Sequence, residues 1–196
     1  TVEMFGNGSI EGILNIRNQV NHDALVASSD GVGWKILDVD GTVNLENSNV
    51  KGVICNVWGS YNMEKGGLYA ASLNVYEGGK IALSNCDLQE SDVTVEQGGL
   101  VKITGVSGIR NLTIDVSSAE HVVTGNDFSN TQVVLTGIEE DEYIDLSGNY
   151  WGTTDMDAIW ARISGDKSRV VIDDIVLVNP VTEFVYRETS LRNNGI

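Results

Sequence analysis

Cysteine, proline and positive charge are all scarce in this chain, and each scarcity removes a class of protein. The only cysteines in 196 residues, Cys55 and Cys86, are far apart. They fit neither a disulfide framework nor a C-x-x-C metal site. Lysine and arginine total 12 against 28 aspartates and glutamates, a formal net charge of −16. Such a surface repels phosphate, which argues against a nucleic-acid partner and disfavours anionic membranes. No apolar run approaches the length of a membrane span, so no membrane insertion is expected, and no signal peptide is visible. Because the chain begins at Thr1, it is expected to be a processed or excised segment, and a missing signal says nothing about secretion. There is a single proline, Pro180, beside 22 glycines. The length allows one large domain with a substantial core that needs no disulfide or metal. Two glycosylation sequons, Asn7-Gly8-Ser9 and Asn111-Leu112-Thr113, matter only if the source glycosylates.

What the chain has is internal repetition. Laying "LNVYEGGKIALSN", from residue 73, over "VTVEQGGLVKITG", from residue 93, matches Leu73 with Val93, Val75 with Val95, Gly78-Gly79 with Gly98-Gly99, and Leu83 with Ile103, an offset of 20. "SNCDLQESDVTV" from residue 84 matches "TGNDFSNTQVVL" from residue 124, an offset of 40. Two offsets in the ratio of one to two mean a period. The apolar pairs expected to open successive units are Leu14/Ile16, Trp34/Ile36, Val53/Cys55, Leu73/Val75, Val93/Val95, Leu112/Ile114 and Val133/Leu135. Within the unit from 73, the pairs Leu73/Val75, Ile81/Leu83 and Cys86/Leu88 are three brief alternations, each short enough for one strand.

Three short strands in a unit of about 20 residues suit neither a leucine-rich horseshoe nor a helical array. They suit an all-β parallel β-helix, in which coils stack along an axis and inward side chains form columns. The expectation is a right-handed β-helix of about six to seven coils. Its columns should hold Cys86, Val106 and Asn126, with Leu88 and Phe128 beside them and Gly108 as an interruption. These repeats resemble the right-handed parallel β-helix proteins of the pectin-lyase-like superfold. The "V-x-x-GG" turns resemble the repeats of bacterial autotransporter-type and other adhesin passengers, and "GNYWGTTD" followed by "VVIDDIVLVNP" resembles the N-x-W-G ending of bacterial surface β-helices. The resemblance covers about residues 10 to 180. It implies architecture far more than activity, because the superfold hosts lyases, hydrolases, adhesins and inert stalks.

Aligning "TGNDF" at 124 with "SGNYW" at 147 sets Asn149 over Asn126 and Trp151 over Phe128, so Trp151 should continue a core column. The repeat then stops. Thr154 or Asp155 can cap a short amphipathic helix carrying Met156, Ile159, Trp160 and Ile163, with Asp157 completing a capping-box variant and Gly165 near the C-terminal end. That helix should lay Trp160 and Ile163 across the end of the stack, followed by strands "RVVID" and "IVLV". The expected division is coils over 1–153, a cap over 154–180 and a tail or linker over 181–196 leading to further domains.

The candidate chemistry is sparse. The superfold's lyases and hydrolases carry convergent carboxylates, often with calcium and a basic residue. Asp87, Asp92, Glu96, Asp127 and the run Glu139, Glu140, Asp141 and Glu142 show no such pairing, and a solvated acidic surface is expected of them. Asp38-Val39-Asp40-Gly41 begins like a calcium loop, but Val43 stands where an EF-hand needs glycine and no glutamate occupies the twelfth position. The acidic run "EEDEYID" carries a weaker calcium reading. His22 and His121 lie at no ligand spacing from each other or from a cysteine, so both are expected to be structural or exposed. Cys55 and Cys86 should be buried small hydrophobes, with a disulfide as the alternative. Among the aromatics Trp34, Trp58, Tyr61, Tyr69 and Tyr76, the repeat places Trp34 and Tyr61 inward and Trp58 and Tyr76 near turns, where exposed rings could stack on sugars. No catalytic residue, metal or cofactor is assigned. The function expected is a non-enzymatic, extracellular or cell-surface β-helix of adhesin or passenger type, with a host or matrix glycan or protein as partner. The alternative is a glycan-binding or polysaccharide-degrading domain of the same fold.

Overall fold

The computed structural model describes residues 2–27, 34–117, 120–137 and 142–181. It is a parallel β-helix, all strands pairing in parallel with the coil above or below, and consistent with the right-handed form. Each coil lays strands on three faces in turn. The first face holds Gly8–Ile10, Lys35–Val39, Val53–Val57, Ser72–Val75, the later parts of Asp87–Val95 and Ser107–Asp115, then Gln132–Thr136 and Ile163–Ser164. The second face begins in Ile13–Ala27 and Thr42–Lys51 and continues through Ser60–Glu64, Lys80–Ser84, Leu100–Thr104 and Val122–Thr124. The third includes Gly67–Tyr69 and the starts of Asp87–Val95 and Ser107–Asp115.

The expected register holds where the repeat was read most directly. Leu73 pairs with Val93, Val75 with Val95, Ile81 with Val101 and Leu83 with Ile103. The Gly78 N–H donates to the Gly98 carbonyl at 3.0 Å. These strands alternate one buried and one outward residue, so each contributes two or three side chains to a continuous apolar column.

Two expectations change. The regular three-faced stack makes about five turns, not six to seven, because the later rungs shrink to pairs such as Ile163–Ser164 and to the isolated bridge between Asp127 and Tyr150. The early coils also depart from 20 residues: Gly8 pairs with Leu37, 29 residues on, and the next two coils advance by 18 each. Cys55 sits over Leu37 and under Leu73, and Val57 between Val39 and Val75, so Leu37/Val39 and Cys55/Val57 open their units, in place of Trp34/Ile36 and Val53/Cys55. Leu14/Ile16 belongs to the second face, paired with Val43 and Leu45. Trp34, expected inward, is consequently 46% exposed.

One corner explains how the coils come so close. Gly12, Gly41, Gly59, Gly79 and Gly99 stack between the first and second faces, each carbonyl of the first four accepting from the backbone of the next coil at 2.8–2.9 Å. A Cβ on Gly41 would lie 2.0 Å from the Gly12 oxygen, and one on Gly59 2.0 Å from the Gly41 oxygen. Only a residue without a Cβ fits between these backbones. At the corner between the second and third faces, each coil needs one left-handed residue: Asn47, Lys65 and Asn85, then Gly105, Gly125 and Gly148.

The far end carries the expected buried stack. Trp151 is fully buried and meets Phe128 edge-on, ring centroids 5.4 Å apart. Asn149 lies under the same column as Asn126: its Oδ1 accepts from both the backbone N–H and the Nδ2 of Asn126 at 3.0 Å, and its Nδ2 donates to the Val123 and Leu146 carbonyls at 2.8 Å. Gly108 does interrupt the neighbouring column, in left-handed conformation, and Ile109 takes the buried place. The helix spans only Met156–Trp160, capped by Asp155, whose side chain accepts from the Asp157 N–H at 3.0 Å. Ile159 is its buried residue, whereas Ile163 leaves the helix to pair with Val133 as one more rung. Arg162 ties the segment down, its Nη1 donating to the carbonyls of Trp151 (2.9 Å), Phe128 (3.1 Å) and Ser129. Of the expected closing strands, Val170–Val171 forms and pairs with Ile144–Asp145, and Ile175 bridges Asn149. The expected tail lies, from residue 182 onward, outside the described residues.

Candidate functional site

Outward residues of the second face form rows along the axis. Asn44 Nδ2 donates to Asn15 Oδ1 at 2.7 Å, and Asn62 Nδ2 to Asn44 Oδ1 at 2.8 Å. The ladder exists because paired strands place these three residues on adjacent rungs. Beside it runs a charged row, Arg17, Glu46 and Glu64. Arg17 is ion-paired with Glu46, and this hydrogen bond raises the guanidinium pKa further above its ordinary value. Lys65 reaches Glu64 at 3.3 Å.

Together these residues line a shallow groove of about 420 Å³ that extends to Ala82 and Ser84. A second depression of about 320 Å³ shares Asn62 and Ala82 and continues the groove past Lys80, Leu100 and Lys102 to Glu120. A third, of about 370 Å³, lies further along near His121, Val122 and Thr124. The first two contain three cationic side chains, Arg17, Lys80 and Lys102, and three anionic ones, Glu46, Glu64 and Glu120. The groove is thus charge-balanced on a chain of net charge −16.

At the corner leading into this face, Trp58 and Tyr76 stack nearly parallel, centroids 4.7 Å apart with 12° between planes, and Trp58 stays 39% exposed. The sequence placed both near turns; their pairing follows from their successive backbone hydrogen bonds at the same corner, Trp58 to Val39 and Tyr76 to Val57. Tyr61 is fully buried, and Tyr69 is half-buried on the third face.

The acidic candidates do not converge. Asp87, almost buried on the third face, accepts from Ser107 Oγ at 3.1 Å and Gln89 Nε2 at 2.8 Å. Asp92, on the first face, accepts from Arg110 Nε at 3.0 Å and Asn111 Nδ2 at 2.8 Å. Burial pushes its carboxyl up, but the hydrogen bonds from Arg110 and Asn111 outweigh this and hold it below the ordinary value. Asp127 accepts from the Ser129 N–H and from Asn179 Nδ2 at 2.9 and 2.6 Å. Glu96 is exposed at a corner. Glu139, Glu140 and Asp141 lie outside the described residues, while Glu142 is described and half-buried. Asp38 belongs to a second ladder, accepting from Asn56 Nδ2 at 2.9 Å, with Asn56 Oδ1 in turn accepting from Asn74 at 3.0 Å. Asp40-Gly41 is a coil corner. Among the described residues no three histidines, cysteines or acids gather as a metal would require.

His22 lies in the strand Ile13–Ala27 with its backbone opposite Ser48, and its side chain lies outside the described residues. His121 is built in: Nδ1 accepts from the Val101 N–H at 3.3 Å and Nε2 lies 2.9 Å from the Asp115 carbonyl. Burial depresses its pKa, opposed by the bond to the Asp115 backbone. Cys55 and Cys86 are buried free thiols, both pushed up to about 12 by burial. Of the sequon asparagines, Asn7 accepts from the Ile36 N–H and Asn111 is tied to Asp92.

Sequence reasoning missed both asparagine ladders. The signal was an 18-residue interval, Asn44 to Asn62 and Asp38 to Asn56 to Asn74, hidden by the assumption of a 20-residue period. Compared with known proteins, the chain matches no family model, no curated protein and no solved structure.

Proposed function

We propose that this β-helix is a non-enzymatic, extracellular or cell-surface domain of an adhesin- or passenger-type protein that attaches to its target through the second face. One observation carries the reading: carboxylates along the coils serve as ties from one coil to the next. Asp38 holds Asn56, Asp87 holds Ser107, Asp92 holds Arg110 and Glu46 holds Arg17. Acids used this way brace a rod, whereas a catalytic pair must be free to take and give a proton.

A glycan-degrading alternative has one observation in its favour. Glu46 and Glu64 occupy adjacent rungs in the groove, at a strand spacing of about 4.8 Å, near the separation of about 5–5.5 Å used by retaining glycosidases. Each, however, sits against a cation, Arg17 or Lys65, so neither stands apart as a proton-holding acid would. The test is incubation with pectin, alginate and neutral polysaccharides, with and without calcium, following unsaturated products and reducing ends. No turnover is expected, together with saturable retention of the protein on a glycan-coated surface. Turnover that vanishes in Glu64→Gln would overturn the proposal.

A further inference from the structure

We infer that the edge of the coil containing Gly12 docks an extended segment of another polypeptide, added as a parallel strand that turns the same corner and carries apolar residues at its inward positions. The site lies at one end of the rod and does not depend on the attachment reading. It begins with a glycine that its own coil does not require. Gly41 and Gly59 must lack a Cβ because the corner of the coil before each lies 2.0 Å from where that atom would be. Gly12 heads the same column, is not left-handed and has nothing within 4 Å of its would-be Cβ. It is fitted for a close backbone on a side where, among the described residues, none lies.

The backbone repeats the point. At each of the next two corners three successive N–H groups donate to two carbonyls of the coil before: Asp40 and Gly41 to Ile10 at 3.0 and 2.7 Å and Thr42 to Gly12 at 2.8 Å, then Trp58 and Gly59 to Val39 and Ser60 to Gly41. Their counterparts in this coil, on Glu11, Gly12 and Ile13, find no acceptor among the described residues. The asparagine ladder stops in the same direction. Asn62 donates to Asn44 and Asn44 to Asn15, while the amide of Asn15 has no acceptor for its own N–H groups among the described residues. Inside, Ile10, Leu14 and Ile16 are only half-buried, whereas Val39, Val43 and Leu45, stacked on them from the other side, are buried. One added strand answers all of these at once: two carbonyls for the three N–H groups, a side-chain carbonyl for Asn15 and apolar cover for the end of the core.

The unmet groups select the occupant. Three donors in a row could hold an anion, but Glu11 stands among them on a chain of net charge −16, so a neutral carbonyl is the better acceptor. A second copy is unsuited. Where the same corners meet, donors face donors, and the other end of the rod is closed by the helix Met156–Trp160 and the rung at Ile163. Arg17, ion-paired with Glu46 and with its side chain still 79% exposed, favours an acid at its own level on the incoming strand. The ligand therefore reads apolar-x-x-x-apolar-x-apolar-acid, with a side-chain carbonyl before the last apolar residue. The chain's own next coil has that pattern in Val39-Asp40-Gly41-Thr42-Val43-Asn44-Leu45-Glu46 and supplies a probe of known register.

The experiment is a nuclear magnetic resonance titration of the intact chain with a peptide of residues 36–46, blocked at both ends. The backbone amides of Glu11, Gly12 and Ile13 and the side-chain amide of Asn15 should shift together and saturate at millimolar peptide, and a peptide of scrambled order should shift none of them. Gly12→Ala should keep the parent's melting temperature and weaken the peptide about tenfold, the worth of one or two backbone hydrogen bonds. If that variant does not fold, a peptide carrying Val43→Asn and Leu45→Asn tests the same docking from the ligand's side and should not bind. Absence of saturable shifts at these amides, or equal binding by the scrambled peptide, the doubly substituted peptide or Gly12→Ala, would overturn the inference. Acetate that saturates the same amides as well as the peptide does would make this an anion site. Sedimentation of the intact chain as a dimer that Gly12→Ala dissociates would make it a self-association edge, and either result overturns the inference as well.

Discussion

Replacing Gly59 by alanine should cost this protein several kcal/mol, while the same change at Gly12, in the same column, should cost nothing. Neither glycine is left-handed, so the difference comes from contact alone. A Cβ on Gly59 would sit 2.0 Å from the Gly41 oxygen and 2.4 Å from the Asp40 oxygen, both backbone atoms that cannot swing aside. The two coils must part locally by more than about 1 Å, since carbon and oxygen rarely approach closer than about 3 Å. The bonds beside that contact are Ser60 N–H to Gly41 at 2.8 Å, Gly59 N–H to Val39 at 2.8 Å and Trp58 N–H to Val39 at 2.9 Å. Stretching two of them past bonding distance, at about 1–3 kcal/mol for each bond lost, gives about 2–6 kcal/mol. For a chain of this size that lowers Tm by roughly 4–24 °C. Gly12 has no atom within 4 Å of its would-be Cβ. Alanine there only restricts the unfolded chain and should be neutral, or stabilising by up to about 1 kcal/mol. Thermal and denaturant melts of the two variants beside the parent provide the comparison. Equal losses at both positions, or no loss at Gly59, would refute the stacked-corner argument.

Trp151→Ala should destabilise by about 3–5 kcal/mol, because the ring is fully buried against Phe128. Trp151→Phe should cost far less, since the indole N–H it removes has no partner; denaturant midpoints that rank the two variants the other way would contradict this. His121 gives a pH dependence. Its folded pKa is depressed by burial, so its contribution is complete above the unfolded value of about 6.5 and declines as pH falls from there towards the folded value. The stability difference between the parent and His121→Asn should therefore be flat above about pH 7 and shrink below it; a difference that stays constant down to pH 5 would remove His121 from the account.

The architecture was legible because two signals coincide between residues 73 and 104: alternating apolar pairs and doubled glycines at the same offset. Either alone is ambiguous. In "VICNV" the inward residues are Val53, Cys55 and Val57, and any two of them make an apolar pair, so the pattern tolerates a slip of two residues. No doubled glycine marks the corner there to correct it, only the single Gly41 and Gly59, and Trp34 was carried inward with the slip. The end of the stack was readable from "GNYWG" because asparagine and tryptophan recur at the places of Asn126 and Phe128. The candidate face was not. Its residues are ordinary asparagines, lysines and glutamates scattered from 15 to 120, and only the coil spacing, learned from the fold, brings them onto one line.

The ladder bonds between coils run along the axis of the rod, and this sets how the domain carries load. A pull applied between its two ends stretches the bonds of each interface together, but the interfaces one after another, so the rod is a chain of links in series. It yields at its weakest interface and not as a whole. Each of the central coils that peels away would release 18 to 20 residues, a length of roughly 60–70 Å when drawn out. A rod of this design would lengthen in steps under tension. The asparagine row adds a side-chain bond to the backbone bonds of each of the two interfaces it crosses, from Asn15 to Asn44 and from Asn44 to Asn62.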